Sequence, residues 1–433
     1  LKGPTSAITR GKVDKFVING GKRLSGEVEI SGAKNASLAI LPACILTSGT
    51  SILYNTPELN DVYTMIKLMN FLGAETTFNN HVLNVNTEKI VSQEAPYEYV
   101  KKMRASVYVL GPLLTKFGSA KVSLPGGCAW GPRPINLHIE GLKKMGAEID
   151  LEEGYIIAKS RKLSGAKINF DVSSVGATAN ILMAAVLAKG TTIINNAAME
   201  PEITNLASFL ISMGAKINGL NCSTLEIEGI DELKPSEVKT IPDRIEAGTL
   251  LIAAAITRGE ITLKNISTNY IQSIITKLED SGCKIENVNG NVYLNGVNNG
   301  IQPANATTAI YPGFPTDMQA QWTAYMALAN GTSTVTDTIY SDRFKHVPEL
   351  VRLGANITVT DNVAVIKGVK KLLGAKVMST DLRASASLVL AGLAAEGKTE
   401  VLRVYHLDRG YQKIEEKLRT LGADIERVEG KEY

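Results

Sequence analysis

The feature that most limits what this chain can fold into is a signature that recurs six times along it. In each copy an apolar, Ala-rich segment ends in Gly, and a β-rich hexamer follows. The glycines are Gly49, Gly118, Gly190, Gly259, Gly331 and Gly397, spaced 66 to 72 residues apart, and the hexamers read TSILYN, SAKVSL, TTIINN, EITLKN, TSTVTD and KTEVLR. Later in each copy an amphipathic segment closes on a small pair: Gly73-Ala74, Gly146-Ala147, Gly214-Ala215, Gly282-Cys283, Gly354-Ala355 and Gly422-Ala423. Gly there predicts a helix ending in the left-handed conformation. An alternating strand comes next and, in five copies, a turn and a second strand, as at Ala147–Ser160. The repeating unit is therefore βαβαββ.

Two kinds of helix alternate within it. The second is amphipathic, with Ile139, Leu142 and Met145 on one side and Glu140, Lys143 and Lys144 between them. The first, such as Ala177–Ala188 or Ala384–Ala395, is apolar nearly all round, which predicts burial on every face. The sixth copy stops at Glu429-Gly430 short of its last strand, while KFVIN, Gly20-Gly21 and GEVEIS read as a hairpin ahead of copy one. The two ends are expected to complete each other. A polar, Pro-containing stretch at Asp231–Pro242 divides copy three from copy four. The expected architecture is α/β with two domains of three units each: residues 34–241, and residues 13–33 plus 242–433 completed by the N-terminal hairpin. Such a pair predicts an active site in the cleft between the domains, with hinge closure over it.

Length and charge narrow the function. A chain of 433 residues has room for two or three domains, and 44% apolar with 21% charged residues is ordinary for a soluble globular protein. Forty-six Lys and Arg against 43 Asp and Glu give a net charge of +3, too little to draw nucleic acid or membrane by bulk electrostatics. Any anion site must be local. The longest apolar runs, Leu250–Ile256 and Ser387–Ala395, fall short of the roughly 20 residues that span a bilayer. Leu1–Val13 has no signal-peptide core and is expected to be an extension outside the repeat. Cys44, Cys128, Cys222 and Cys283 show no paired spacing, so a reducing, cytoplasmic setting is expected.

Polar residues gather where the first helices begin: Lys34-Asn35, Arg104, Ser174 with Gly176 and Thr178, Asp243-Arg244-Glu246, Thr316-Asp317-Gln319-Gln321, and Asp381-Arg383. A capping role accounts for any one of these. Arginines are harder to dismiss, because a helix dipole disfavours a cation at its start. Arg104, Arg244 and Arg383 in equivalent places predict a bound anion. Copy two also replaces its usual connection with a Gly- and Pro-rich stretch, Ser123–Pro134, of a length that suits a lid. Cys128 stands at its centre, outside any apolar run that would bury it, whereas Cys44 and Cys283 read as core residues. A lone loop Cys is commonly incidental. Arg133 nearby favours a thiol able to exchange a proton. His81, His138, His346 and His406 form no metal-ligand spacing, and no metal is expected. Gly392–Thr399 matches GxxxxGK[ST], but its predicted order, helix in and strand out, is the reverse of a phosphate-cradling loop.

The stretches Ser31–Asn35, Arg104–Ser106, Pro125–Cys128, Arg133-Pro134, Phe314–Gln319, Asp381–Ser385 and His406–Tyr411 together resemble the UDP-N-acetylglucosamine enolpyruvyl transferases, over about Asp14 to Glu429. The sister enolpyruvylshikimate-phosphate synthases share that family's fold but lack the PGGC found here at Pro125–Cys128. The resemblance implies a two-domain inside-out α/β barrel of six units with buried helices. It also implies transfer of enolpyruvyl from phosphoenolpyruvate to the sugar 3-hydroxyl, the first committed step of peptidoglycan synthesis, and a target for fosfomycin. No cofactor is implied; the partners are the two small substrates, and a monomer is expected. Matched residue by residue, Cys128, Asp317, Lys34 and Arg409 would be catalytic. Lys34, Arg104, Arg133, Arg343, Arg383 and Arg409 would hold phosphoenolpyruvate. The sugar nucleotide would meet Asn35, Arg104, Arg133, Pro134, Ile135, Asn136, Leu137, Ser174, Val175, Gly176, Thr316, Asp317 and Ile339. The chain departs from the family at Asn136, where Asp is common, and at Val172, near which a basic residue is frequent. Shikimate 3-phosphate as acceptor, a noncatalytic paralogue and a scaffold ring are the competing readings.

Overall fold

The computed structural model describes residues 12–101, 103–124, 135–296 and 300–431. The chain divides into two compact units, one running Ser31–Pro242 and the other made of the chain up to Ile30 together with Asp243 onward. Every hexamer is a strand: Thr50–Tyr54, Ser119–Ser123, Thr191–Asn195, Glu260–Lys264, Thr332–Thr336 and Lys398–Leu402. Each lies inside its own four-stranded sheet, giving six sheets among the described residues. In copy three, Thr191–Asn195 pairs parallel with Lys167–Asn169 and antiparallel with Thr224–Glu228, whose other neighbour is Lys216–Asn218. The closing glycines all take left-handed φ, from 91° at Gly146 to 112° at Gly73, and so end the amphipathic helices as their sequence requires.

The N-terminal segment differs from the expected hairpin. Lys12–Asn19 lies between Lys398–Leu402 and Asp424–Lys431, antiparallel to both, and supplies the strand the sixth copy lacks. Ser25–Glu29 goes to another sheet, parallel to Glu260–Lys264 of copy four. Gly20-Gly21 therefore joins two sheets rather than two partners in one. The Asp231–Pro242 stretch, read as a divider, contains the strand Glu237–Lys239, which pairs parallel with Thr50–Tyr54 of copy one. Each unit thus closes with a strand from outside the local run of its first sheet.

A side-chain signature marks these closures. Asn55, Asn196 and Asn265, each the last residue of a hexamer, have φ of 55°, 55° and 59°. Their Nδ2 groups donate to the carbonyls of Thr240, Phe170 and Ile30 at 2.9, 2.9 and 3.1 Å. Each acceptor directly follows the parallel strand of that sheet. Asn is the side chain that tolerates the left-handed region and can also reach a neighbouring carbonyl.

The helices apolar on all sides are inside. In Arg244–Ile256 every residue from Ile245 is buried, in Gln319–Met326 all are, and in Leu382–Ala394 the run Arg383–Leu393 is. These three pack on one another in the middle of their unit. In the Ser31–Pro242 unit, Lys34–Ala43 and Val175–Ala185 both pack on the turn Arg104–Val109, and Leu110–Phe117 packs on Val175–Ala185. A fully buried aliphatic side chain contributes about 1.5–3 kcal/mol, so these helices are held by burial rather than by propensity. Gly392–Thr399 joins the end of Leu382–Ala394 to Lys398–Leu402, helix first and strand second. Among the described residues no helix is long and apolar enough to cross a membrane.

Loss of a closure bond should be visible in stability. Asn265→Ala is expected to cost about 1–2 kcal/mol, from a strained φ and a lost hydrogen bond, and Asn265→Gly less because Gly relieves the strain. Urea unfolding checks the order; Gly costing more than Ala would contradict it.

Candidate active site

In the unit that contains Asp243 onward, the three buried helices begin together. The turn Thr316–Met318 leads into Gln319–Met326 and carries Asp317. Arg343 Nη2 donates to Asp317 Oδ1 at 2.7 Å, and Arg383 Nη2 donates to Asp317 Oδ2 at 2.8 Å. The carboxylate is 28% exposed, whereas the two guanidinium side chains are 10% and 5% exposed. Arg343 also donates through Nη1 to Thr316 Oγ1 at 2.9 Å, and Thr316 donates onward to Asp337 Oδ2 at 2.7 Å. Asp337 is fully buried and further accepts from Thr308 Oγ1 and from the backbone N–H groups of Ile339 and Tyr340. A carboxylate with this many donors is a fixed strut.

Arg383 is anchored a second time. Its Nη1 donates to Tyr411 Oη at 3.1 Å, and Gln321 Nε2 donates to the same oxygen at 3.2 Å. Thr249 Oγ1, whose proton goes to Ile245 O, leaves Tyr411 to donate to it at 2.9 Å. Burial opposes the charge of Arg383 most strongly, but the charges of Asp317, Tyr411 and Asp243 and the hydrogen bond to Asp317 together outweigh it and push the guanidinium pKa up. The arginine at the helix start was expected to imply a bound anion. Asp317 is its counter-charge within the protein, and Asp243 adds to it, so Arg383 alone does not require one. Arg244 likewise follows a capping carboxylate, Asp243 Oδ1 accepting from Ile245 N and Glu246 N, and its guanidinium lies over the Tyr311 ring. Arg409 ends the turn Val404–Arg409, where burial and its charge help hold the pKa of half-buried His406 down. Ile339 is exposed beside the Asp337 strut.

In the Ser31–Pro242 unit, Lys34 and Asn35 open Lys34–Ala43, with Lys34 Nζ 3.7 Å from the buried carboxylate of Asp61. Ser174 caps Val175–Ala185 by accepting from Ala177 N at 3.3 Å. The start of that helix meets the helix Asn136–Lys144: a Cβ on Gly176 would sit 3.0 Å from His138 Nε2. The helix that Asn136 and Leu137 open thus packs on the helix that Val175 and Gly176 open, and Ile135 directly precedes it. His138 Nδ1 accepts from Asn180 Nδ2 at 2.9 Å, which places its proton on Nε2, and burial pushes its pKa down to about 4. Arg104 begins the turn Arg104–Val109, but its side chain lies outside the described part. Cys128, Arg133 and Pro134 lie outside the described residues. The described cysteines are free; Cys44 is buried with its thiol pushed up to about 12, Cys283 is buried and raised by burial, and Cys222 is exposed.

Sequence reasoning missed Asp337, Tyr411 and Asp61 as parts of these clusters. Asp337 had a signal: it ends TSTVTD where Asn55, Asn196 and Asn265 end their hexamers. Tyr411 had none beyond its place in the His406–Tyr411 stretch, and Asp61 had none. Among the described residues no three His, Cys, Asp or Glu side chains are grouped to hold a metal ion.

Comparison with known proteins identifies the family. The family described as EPSP synthase (3-phosphoshikimate 1-carboxyvinyltransferase) matches residues 18–418. Proteins named UDP-N-acetylglucosamine 1-carboxyvinyltransferase are similar along the whole chain. That of Chloroherpeton thalassium is 58% identical over 418 residues, covering 96% of this chain and 97% of the relative. That of Chlorobium limicola is 56% identical over 424 residues, covering 97% and 100%. Among solved structures, the enolpyruvyl transferase NikO from Streptomyces tendae has the same fold, with TM-score 0.87 at 24% identity over 97% of this chain and all of that one. EPSP synthase from Acinetobacter baumannii does too, with TM-score 0.76 at 18% identity over 96% and 100%. The chain belongs to the enolpyruvyl transferases, among the UDP-N-acetylglucosamine 1-carboxyvinyltransferases.

The neutral state of His138 gives a pH prediction. Its folded pKa lies below the usual 6.5, so the unfolded chain takes up the proton first and stability is lost as pH falls from about 6.5 toward about 4. Unfolding free energies from urea titrations at pH 7.5 and 5 should differ by on the order of 2 kcal/mol more in the parent than in His138→Gln. An equal difference in both would contradict the assignment.

Proposed function

We propose that the chain transfers the enolpyruvyl group of phosphoenolpyruvate to the 3-hydroxyl of UDP-N-acetylglucosamine and releases phosphate, as the first committed step of peptidoglycan synthesis. The observation that carries this reading is the end-to-end likeness to relatives bearing that activity's name. We place the work in the cytoplasm, where a reducing medium keeps thiols such as Cys44, Cys222 and Cys283 free, and assign it to a single chain. The sugar 3-oxygen bonds to C2 of phosphoenolpyruvate as its proton passes to a base and another proton reaches C3. The tetrahedral ketal then breaks its C2–O bond to phosphate, and a C3 proton leaves to restore the double bond.

Asp317 is the base in this proposal, and Cys128 supplies the proton at C3 or assists phosphate departure. Lys34, Arg133 and Arg409 hold phosphoenolpyruvate, helped by Arg104, Arg343 and Arg383. Asn35, Ile135, Asn136, Leu137, Ser174, Val175, Gly176, Thr316 and Ile339, with Pro134, contact the sugar nucleotide. A carboxylate gripped by two guanidinium groups is a poor proton acceptor. The bonds from Arg343 and Arg383 to Asp317 support a base switched on by its substrate: the phosphate or carboxylate of phosphoenolpyruvate draws one guanidinium away and leaves Asp317 free to take the hydroxyl proton. The guanidinium groups then stabilise charge on the small substrate, where preorganised cations contribute most.

The direct test is phosphate release from phosphoenolpyruvate with either UDP-N-acetylglucosamine or shikimate 3-phosphate; release only with the second acceptor would overturn the reading. Asp317→Asn, which keeps the shape and loses the charge, should lower kcat by about 100-fold or more with sugar-nucleotide binding kept. Unchanged kcat would remove Asp317 from proton transfer. Cys128→Ala should fold and lose most turnover, and an epoxide mimic of phosphoenolpyruvate should label Cys128. Mass mapping that found label chiefly on Cys222, the exposed thiol, would reject that role.

A further inference from the structure

The same three helices that begin at the Asp317 cluster end around a cavity of about 290 Å³. A 13-residue helix such as Arg244–Ile256 is roughly 20 Å long, so the two places are well separated. Five basic side chains line the cavity, Lys22, Arg23, Arg258, Lys370 and Lys371, against one acidic side chain, Glu396. Over the whole chain the two signs are nearly balanced, 46 to 43, so this is a local concentration. Lys371 pairs with Glu396 at 2.7 Å and Lys22 with Asp424 at 3.2 Å. Arg23, Arg258 and Lys370 have no carboxylate partner among the described residues.

Helix ends carry negative character that could explain some positive charge, at about half a unit charge per helix. That amounts to roughly 1.5 charges for three helices, less than the cavity's excess of basic over acidic groups. The end carbonyls are also already engaged by main-chain donors: Leu393 O by Gly21 N at 2.8 Å, Ala327 O by Val369 N at 2.8 Å and Ala254 O by Gly259 N at 2.8 Å. Arg258 moreover holds φ +54°, a left-handed conformation that costs a side chain about 1–2 kcal/mol. In copies one, two, three and six the glycine of the repeat takes the positive φ instead, from 74° at Gly118 to 123° at Gly49.

We propose that this cavity binds a compact phosphorylated anion, at a site separate from the catalytic residues. Among the described residues its lining holds no aromatic side chain on which a base could stack and includes the aliphatic Ile256, Leu328 and Leu393, which favours a small, highly charged head over a nucleoside. Arg23 and Arg258 offer the forked donors that suit phosphoryl oxygens.

Calorimetric titration of the full chain with pyrophosphate tests this. Besides any binding at the proposed phosphoenolpyruvate residues, which parent and variant share, the parent should show one site that weakens with rising salt, and at that site the variant Arg23→Ser, Arg258→Gly, Lys370→Ser should bind about tenfold or more weakly while melting as the parent does. Because the triple change could disturb folding, Lys370→Ser alone, at an exposed position, should weaken binding by about threefold. No binding to the parent, unchanged binding in both variants, or citrate binding as tightly as pyrophosphate would each overturn the proposal. None of these readouts depends on turnover, so the result stands apart from the enolpyruvyl reading.

Discussion

Helices apolar on every face can be stable only where other helices and sheets cover them completely, and that constraint governs this chain. Among the described residues six sheets cover two buried centres, and charge is admitted to each centre mainly near where a helix begins or ends. Such charges are paired. Glu246, in the first turn of its helix, is bonded through both oxygens by Lys417 at 2.9 Å. Arg383 is met by Asp317. A buried charge without such a partner would cost several kcal/mol, so chemistry on this scaffold belongs at helix ends.

The Asp317 cluster shows how that placement becomes chemistry. Arg343 and Arg383 hold one carboxylate from two sides, and each is itself fixed by a second anchor, Thr316 with Asp337 or Tyr411 with Gln321. A buried ion pair adds little to net stability because desolvation offsets attraction. An arrangement that contributes little to folding yet has every donor aimed is suited to exchanging partners. In the proposed reaction an arriving anion would compete with Asp317 for guanidinium groups that need not be desolvated afresh.

The repeat made much of this legible. Each hexamer is a strand and each closing Gly is left-handed, because both depend on local sequence alone. The exchange of Ser25–Glu29 and Glu237–Lys239 into sheets far along the chain was not legible, since a Gly-Gly turn between two alternating segments is also what a hairpin looks like. In the sequence, helix-start arginines read as a sign of a bound anion because a carboxylate from a neighbouring copy cannot be seen in a one-copy reading. Asp317 and Arg383 are 66 residues apart and meet only in the fold.

In the proposed reaction Asp317 exchanges an arginine for a sugar hydroxyl. The most direct measurement is a crystal structure of Cys128→Ala with phosphoenolpyruvate and UDP-N-acetylglucosamine both bound. The account predicts one guanidinium on the small substrate and beyond hydrogen-bond distance of Asp317, with an Asp317 oxygen about 3 Å from the sugar 3-oxygen. Asp317 still held by both Arg343 and Arg383, with another group beside that hydroxyl, would contradict it.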